Sequence, residues 1–122
     1  MNKTYLERLQ ATLQLSPFVH DVEISIDDRE EIWFLRGDVY FIDNSRLHFR
    51  ELHVRKGEPY KKAYSYHYQN ADENLIFRYD NAPHYPDLVT APHHKHRGEN
   101  DVISASPPDL EEVLKEIEGL IK

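Results

Sequence analysis

The sequence predicts an α+β fold: an antiparallel meander sheet of about five strands, with an N-terminal and a C-terminal helix. Three observations lead there. Between residues 18 and 80, short segments alternate apolar and polar side chains, the two-residue period of a strand with one wet face. The connections between those segments are short and polar, which suits antiparallel neighbours and leaves no room for the crossovers that parallel strands need. Both ends of the chain switch instead to helical spacing.

In order along the chain, Thr4-Tyr5-Leu6-Glu7 has the form of a capping box, so a first helix is expected from there. Tyr5, Leu6, Leu9 and Leu13 recur on one helical face, and Ser16-Pro17 ends it, because a residue before proline is driven out of the α region. Phe18, Val22, Ile24 and Ile26 then alternate with Asp21, Glu23 and Ser25 as a first strand, closed by the turn Asp27 to Glu30. A second strand runs from Ile32 to Ile42 with Trp33, Leu35, Val39 and Phe41 on one face, and Gly37 within it marks an expected bulge or bend. After the hairpin turn Asp43-Asn44-Ser45, a third strand extends from Arg46 to about Arg55. The turn Lys56 to Pro59 leads to a fourth strand, Ala63 to Gln69, and Asn70 to Asn74 leads to a fifth, Leu75 to Tyr79.

Residues 81–107 break the pattern. They hold Pro83, Pro86, Pro92 and Pro107 with four of the eight histidines, and a connection of this length in a compact domain is usually functional or mobile. Within it, Val102-Ile103 is a candidate short sixth strand at the sheet edge. Ser106-Pro107-Pro108-Asp109 opens the last helix, where prolines are tolerated. Its stripe is Leu110, Val113, Leu114, Ile117, Leu120 and Ile121, with Glu111–Lys115 and Glu118–Lys122 pairs on the wet side.

At 122 residues the chain is expected to be a single domain, 1–122. Leu, Ile, Val and Phe supply 32 residues, above the roughly 20% below which charged chains stay disordered, while a mean hydropathy of −0.74 implies a small core. Eight tyrosines and one tryptophan supplement that core. The absence of cysteine excludes disulfides and thiolate chemistry. Neither a signal-like apolar stretch at the N-terminus nor a membrane span is evident, so a cytoplasmic location without membrane contact is expected. The net charge of −7 conceals a basic segment: residues 46–68 carry six basic and two acidic side chains. That segment is either an anion-binding patch or a set of solvated hairpin charges.

Two groups of residues could carry chemistry. Strand alternation sends Arg50, His67 and Arg78 to the outer face of three successive strands, and a four-residue loop at Ala71–Asn74 sets His67 opposite Arg78. His48, Ser65 and Asp80 share that face. Two guanidiniums can hold a phosphodiester and stabilise its pentacoordinate transition state, and an imidazole can move the proton. RNA supplies its own nucleophile in the 2′-hydroxyl, so no cofactor is required. A polar face with cross-strand salt bridges, such as Arg78 with Glu51 or Asp80, accounts for the same residues structurally.

The second group is His84, His93, His94, Lys95 and His96. Zinc is one reading, with Asp80 and Asp87 near, but no standard ligand spacing is present and Lys95 would repel a cation. Side chains carried to the sheet edge for phosphate contact or proton transfer form the other reading, and no metal is expected. Tyr64, Tyr66 and Tyr68 share one strand face. They read as a core stripe under the helices or, with Tyr66 as the candidate, as a base-stacking surface.

Arg50-Glu51, the run Tyr64 to Gln69, the run Ile76 to His84 and Pro92-His93-His94-Lys95-His96 together resemble the TumE-type toxin family of prokaryotic type II toxin–antitoxin pairs. The likeness extends from about Phe18 to the last helix. Tyr85 departs from it, standing where a second histidine is expected, and so does the longer basic turn from Arg55 to Lys62. The resemblance implies a growth-inhibiting protein neutralised by a cognate antitoxin protein. Joined to the Arg/His face, it points to RNA as target and to a metal-independent endoribonuclease. On that reading Arg50 and Arg78 hold phosphate and His67 is the acid or base. Asp80 and His84 belong to the catalytic group, and His93, His94, Lys95, His96 and Tyr66 contact substrate. A non-enzymatic protein-binding module and a metal-dependent hydrolase built on the histidines are the alternatives. Exposed strand edges leave a homodimer open as well.

Overall fold

The structure, a computed structural model, describes residues 1–121. Helix α1 (Lys3–Leu15) leads into seven strands: β1 (Val19–Asp28), β2 (Ile32–Phe41), β3 (Arg46–Val54), β4 (Tyr60–Gln69), β5 (Leu75–Asp80), β6 (His94–Arg97) and β7 (Asp101–Ser104). Helix α2 (Leu110–Ile121) closes the fold. The strands lie side by side in chain order, every pair antiparallel. The meander is as expected, but it has seven strands and not about five.

Both helices cover one face of the sheet. Leu9 and Leu13 of α1 with Leu110, Val113, Leu114 and Ile117 of α2 pack on Trp33, Leu35, Val39, Phe41, Leu47, Phe49, Tyr64, Tyr66, Tyr68 and Phe77. Burial of this apolar surface is the main driving force for the fold. Leu120, expected on the α2 stripe, is 57% exposed. Gly37 forms no bulge: the register runs through it unbroken, Ile24 to Gly37 to Phe49. The Phe49 ring lies over it so closely that a Cβ there would stand 2.3 Å from the ring. The glycine makes room for an aromatic neighbour instead of bending the strand.

The helix ends differ in detail from the sequence expectation. Asn2, not Thr4, caps α1, its side chain accepting from the Tyr5 amide at 3.0 Å. The prolines precede α2, and Asp109 caps it by accepting from the Glu112 amide at 2.8 Å.

Strand β4 begins three residues earlier than alternation indicates. His53 pairs with Lys61 while Leu52 pairs with Ala63, so Lys62 is the extra residue of a bulge. The bulge flips parity and turns Lys61 to the helix side, where its ammonium lies over the Tyr64 and Tyr66 rings. The segment expected as a long histidine loop contributes two short strands, β6 and β7, to the sheet. Gly98, at φ +67, turns β6 back into β7, leaving 81–93 as the only long connection among the described residues. Thr90 ties that connection down, donating from Oγ1 to the His93 carbonyl at 2.7 Å and accepting from the Ala105 amide at 2.9 Å.

Candidate active site

The face opposite the helices is uncovered, and register arranges its side chains in two rows. One row reads Arg36, Arg50, Ser65, Asp80 and His94 across β2 to β6. The next reads Asp38, His48, His67, Arg78 and His96. The turn that fixes this register is built by Asn70, whose side chain accepts from the Asp72 and Asn74 amides at 3.0 Å each, with Glu73 at φ +65. His67 therefore stands opposite Arg78, and Arg50, His67 and Arg78 emerge on the same side.

A depression of about 410 Å³ opens on this face, bordered by Arg36, Arg50, Ser65, Arg78 and Asp80. Phe34, Leu52, Ala63, Ala82 and Pro83 form its apolar side. Asn81 holds that wall in place, accepting from the Tyr64 amide at 3.1 Å and donating to the Lys62 carbonyl at 2.9 Å across the bulge. Of the eight arginines, six have acidic partners within 4.0 Å. The two without one among the described residues are Arg36 and Arg50, which face each other across β2 and β3. Like charges directly opposed on a sheet repel, and both of these side chains are exposed to solvent.

Six of the remaining members of the two rows contact one another. Arg78 Nε donates to Asp80 Oδ2 at 3.0 Å, the Ala82 amide donates to Oδ1 at 3.0 Å, and His94 Nε2 lies 2.9 Å from Oδ1. His96 Nε2 is 3.7 Å from Oδ2. His48 Nδ1 contacts Asp38 at 2.9 Å, and Arg46 donates to the same oxygen. Burial pushes the His67 imidazole below its ordinary 6.5, helped by the Arg78 charge and by His48. Burial likewise lowers His96, with the Asp80 charge working against it. Both rings are consequently neutral bases near pH 7.

Several expected members stand elsewhere. Tyr66 is fully buried on the helix side and donates to Glu51 at 2.6 Å, so it stacks no base. Lys95 points to α2 and pairs with Glu116 at 2.7 Å, its ammonium over the Phe77 and Tyr79 rings. His93 packs against Tyr64 on that same side, its Nδ1 2.8 Å from the hydroxyl. His84 is exposed in the 81–93 connection, outside the Asp80 group. The cause is parity: in strand β6 successive residues face opposite ways, so only His94 and His96 reach the open face.

Two features were missed in the sequence. Arg36 alternates with Leu35, and that signal placed it outward. Glu51 alternates with Leu47 and Phe49, which puts a carboxylate inside. There it accepts from Tyr5 at 2.5 Å, from Tyr66 at 2.6 Å and from His53 Nε2 at 2.7 Å, with Lys61 at 4.0 Å. Burial opposes its ionisation, but His53, Lys61 and the two phenols outweigh it and hold the carboxyl below the ordinary 4.5.

The fold and the open face together define a two-layer α+β protein that presents cationic and imidazole groups on an uncovered sheet. The sequence profile of the family described as Toxin TumE matches residues 7–121, and the chain belongs to that family. No curated protein and no solved structure matches the chain. No described helix is long and apolar enough to cross a membrane.

Proposed function

We propose that this toxin-family protein inhibits growth by cleaving RNA on the open face of its sheet, and that a cognate antitoxin protein neutralises it. The observation carrying this reading is the unpaired Arg36–Arg50 couple beside Arg78, at the edge of a depression sized for a nucleotide. Guanidiniums recognise phosphate in a bidentate fork and stabilise the charge of a pentacoordinate phosphorane. His67 takes the proton of the 2′-hydroxyl, whose oxygen attacks phosphorus. His48, oriented through Nδ1 by Asp38, returns a proton to the departing 5′-oxygen. The products are a 2′,3′-cyclic phosphate and a free 5′-hydroxyl, and the step itself needs no metal. The net charge of −7 weakens general attraction to nucleic acid, so affinity rests on the local arginines.

Inducible expression with and without an adjacent antitoxin gene, followed by sequencing of RNA ends, tests the reading. New cyclic-phosphate ends are expected, absent in cells making His67→Ala or Arg78→Ala protein. In vitro, His67→Ala is expected to slow cleavage by about 10²- to 10⁴-fold, and a substrate with 2′-deoxy at the scissile position should resist. Undiminished toxicity of both variants, or growth arrest with no new RNA ends, overturns it. The second result would leave a protein-binding toxin.

A further inference from the structure

We propose that Asp80, His94 and His96 form a binding site for a divalent transition metal ion of the zinc class. The site stands on the β5–β6 geometry alone and does not depend on RNA cleavage. Antiparallel pairing sets Asp80 directly opposite His94 and brings His96, two residues on, to the same face. One ligand atom from each of the three lies within 4.8 Å of the others.

The hydrogen bonding of His94 is the stronger argument. Its Nδ1 is 3.0 Å from the Pro92 carbonyl, and a carbonyl only accepts, so Nδ1 carries a hydrogen. Nε2 then faces Asp80 Oδ1 at 2.9 Å in a residue that is 1% exposed. In the neutral ring that nitrogen presents a lone pair to a carboxylate, a repulsive arrangement unless a second proton or a cation lies between them. A ring whose Nδ1–H is fixed by a backbone carbonyl, leaving Nε2 for the ion, is the usual outer arrangement of a metal-binding histidine.

The separations fit as well. Bonds near 2.0 Å in a tetrahedron put ligand atoms about 3.3 Å apart. The observed 2.9 Å from Oδ1 to His94 and 3.7 Å from Oδ2 to His96 bracket that value, and one carboxylate oxygen lies within 4.8 Å of both rings. The Ala82 amide and Arg78 Nε fix the carboxylate from either side. Arg78 adds a repelling charge, but it lies on Oδ2, which leaves Oδ1 as the ligand oxygen. Lys95, the residue that argues against a cation in the sequence, is turned away to Glu116. Three protein ligands leave a fourth position free, and Tyr85 lies edge-on to both imidazoles at 4.8 and 5.8 Å as its flank. Neutral nitrogen and carboxylate oxygen suit zinc and its neighbours in the series better than calcium or magnesium.

The test uses the purified full chain, stripped with chelator and titrated with Zn²⁺ by calorimetry and with Co²⁺ by visible absorption. One equivalent of Zn²⁺ is expected to bind, and Co²⁺ should give the intense bands of a tetrahedral site. His96→Gln, at a partly exposed position, should weaken binding by at least about tenfold, while His84→Gln leaves it unchanged. His94→Gln should do the same, with circular dichroism confirming that it folds. Two results overturn the proposal. One is a parent chain that takes up no stoichiometric metal, in which case the His94–Asp80 contact is an imidazolium ion pair. The other is binding that His96→Gln leaves untouched.

Discussion

The two faces of the sheet each carry a buried carboxylate, and they treat it in opposite ways. On the helix side Glu51 is enclosed and receives three short hydrogen bonds, so every valence is spent inside the protein. On the open side Asp80 is also buried, but its partners Arg78 and His96 are partly exposed, and Arg36 and Arg50 nearby have no acidic partner among the described residues. A saturated polar network specifies the fold, whereas one left incomplete at a solvent-facing depression has capacity for a ligand. The contrast makes the helix face the structural one and leaves the open face as the side on which function is proposed.

The largest effect should therefore come from the saturated network. Glu51→Ala is expected to cost about 3–5 kcal/mol, read from denaturant melts, because it strands Lys61 and the two phenols without their acceptor. Its pH dependence has a definite sign. The carboxyl is held below its ordinary 4.5, so its stabilisation is complete above that pH and fades as pH falls through the lowered folded value. Melts between pH 6 and pH 3 should show this acid limb flattened in Glu51→Gln.

Next in size is Gly37→Ala, where the added methyl meets the Phe49 ring. A loss of about 1–3 kcal/mol is expected, and Phe49→Leu in the same chain should recover part of it. Full additivity of the two substitutions would deny the close approach.

The smallest stability effects are expected on the open face. Arg36→Ala and Arg50→Ala should each move stability by no more than about 0.5 kcal/mol, and either may be made without loss of the melting transition. RNA binding in a filter assay should nevertheless fall sharply for both, with a shallower dependence on salt. If these variants unfold like Glu51→Ala, the division between the faces fails.

Much of the fold was legible because alternation survives wherever a strand has one dry face. Trp33, Leu35, Val39 and Phe41, then Leu47 and Phe49, mark that face, and their parity puts Arg50, His67 and Arg78 on the other. Legibility ends where apolar markers end. His94-Lys95-His96-Arg97 contains none, so nothing in its pattern announces β6, although Lys95 lays its ammonium over Phe77 and Tyr79. Without the strand there is no parity to separate Lys95 and His93 from His94 and His96. The bulge at Lys62 hides the start of β4 for a related reason, since an extra residue interrupts the period. Tyr66 is ambiguous by composition, because a phenol serves equally under a helix or under a base. Its hydrogen bond to the buried Glu51, which shares the parity of Leu47 and Phe49, decides between them.

A sheet in which each strand pairs only with its neighbour in sequence has a consequence during synthesis. Pairing can follow the growing chain, since no strand waits for a distant partner. The arginines of β2 and β3 meet early, while Asp80 gains its imidazoles only when β6 arrives, and the dry face stays open until α2 supplies its lid. A nascent chain thus sets Arg36, Arg50, His48 and His67 side by side as β2 to β4 pair, before Asp80 meets its imidazoles and before α2 covers the apolar face.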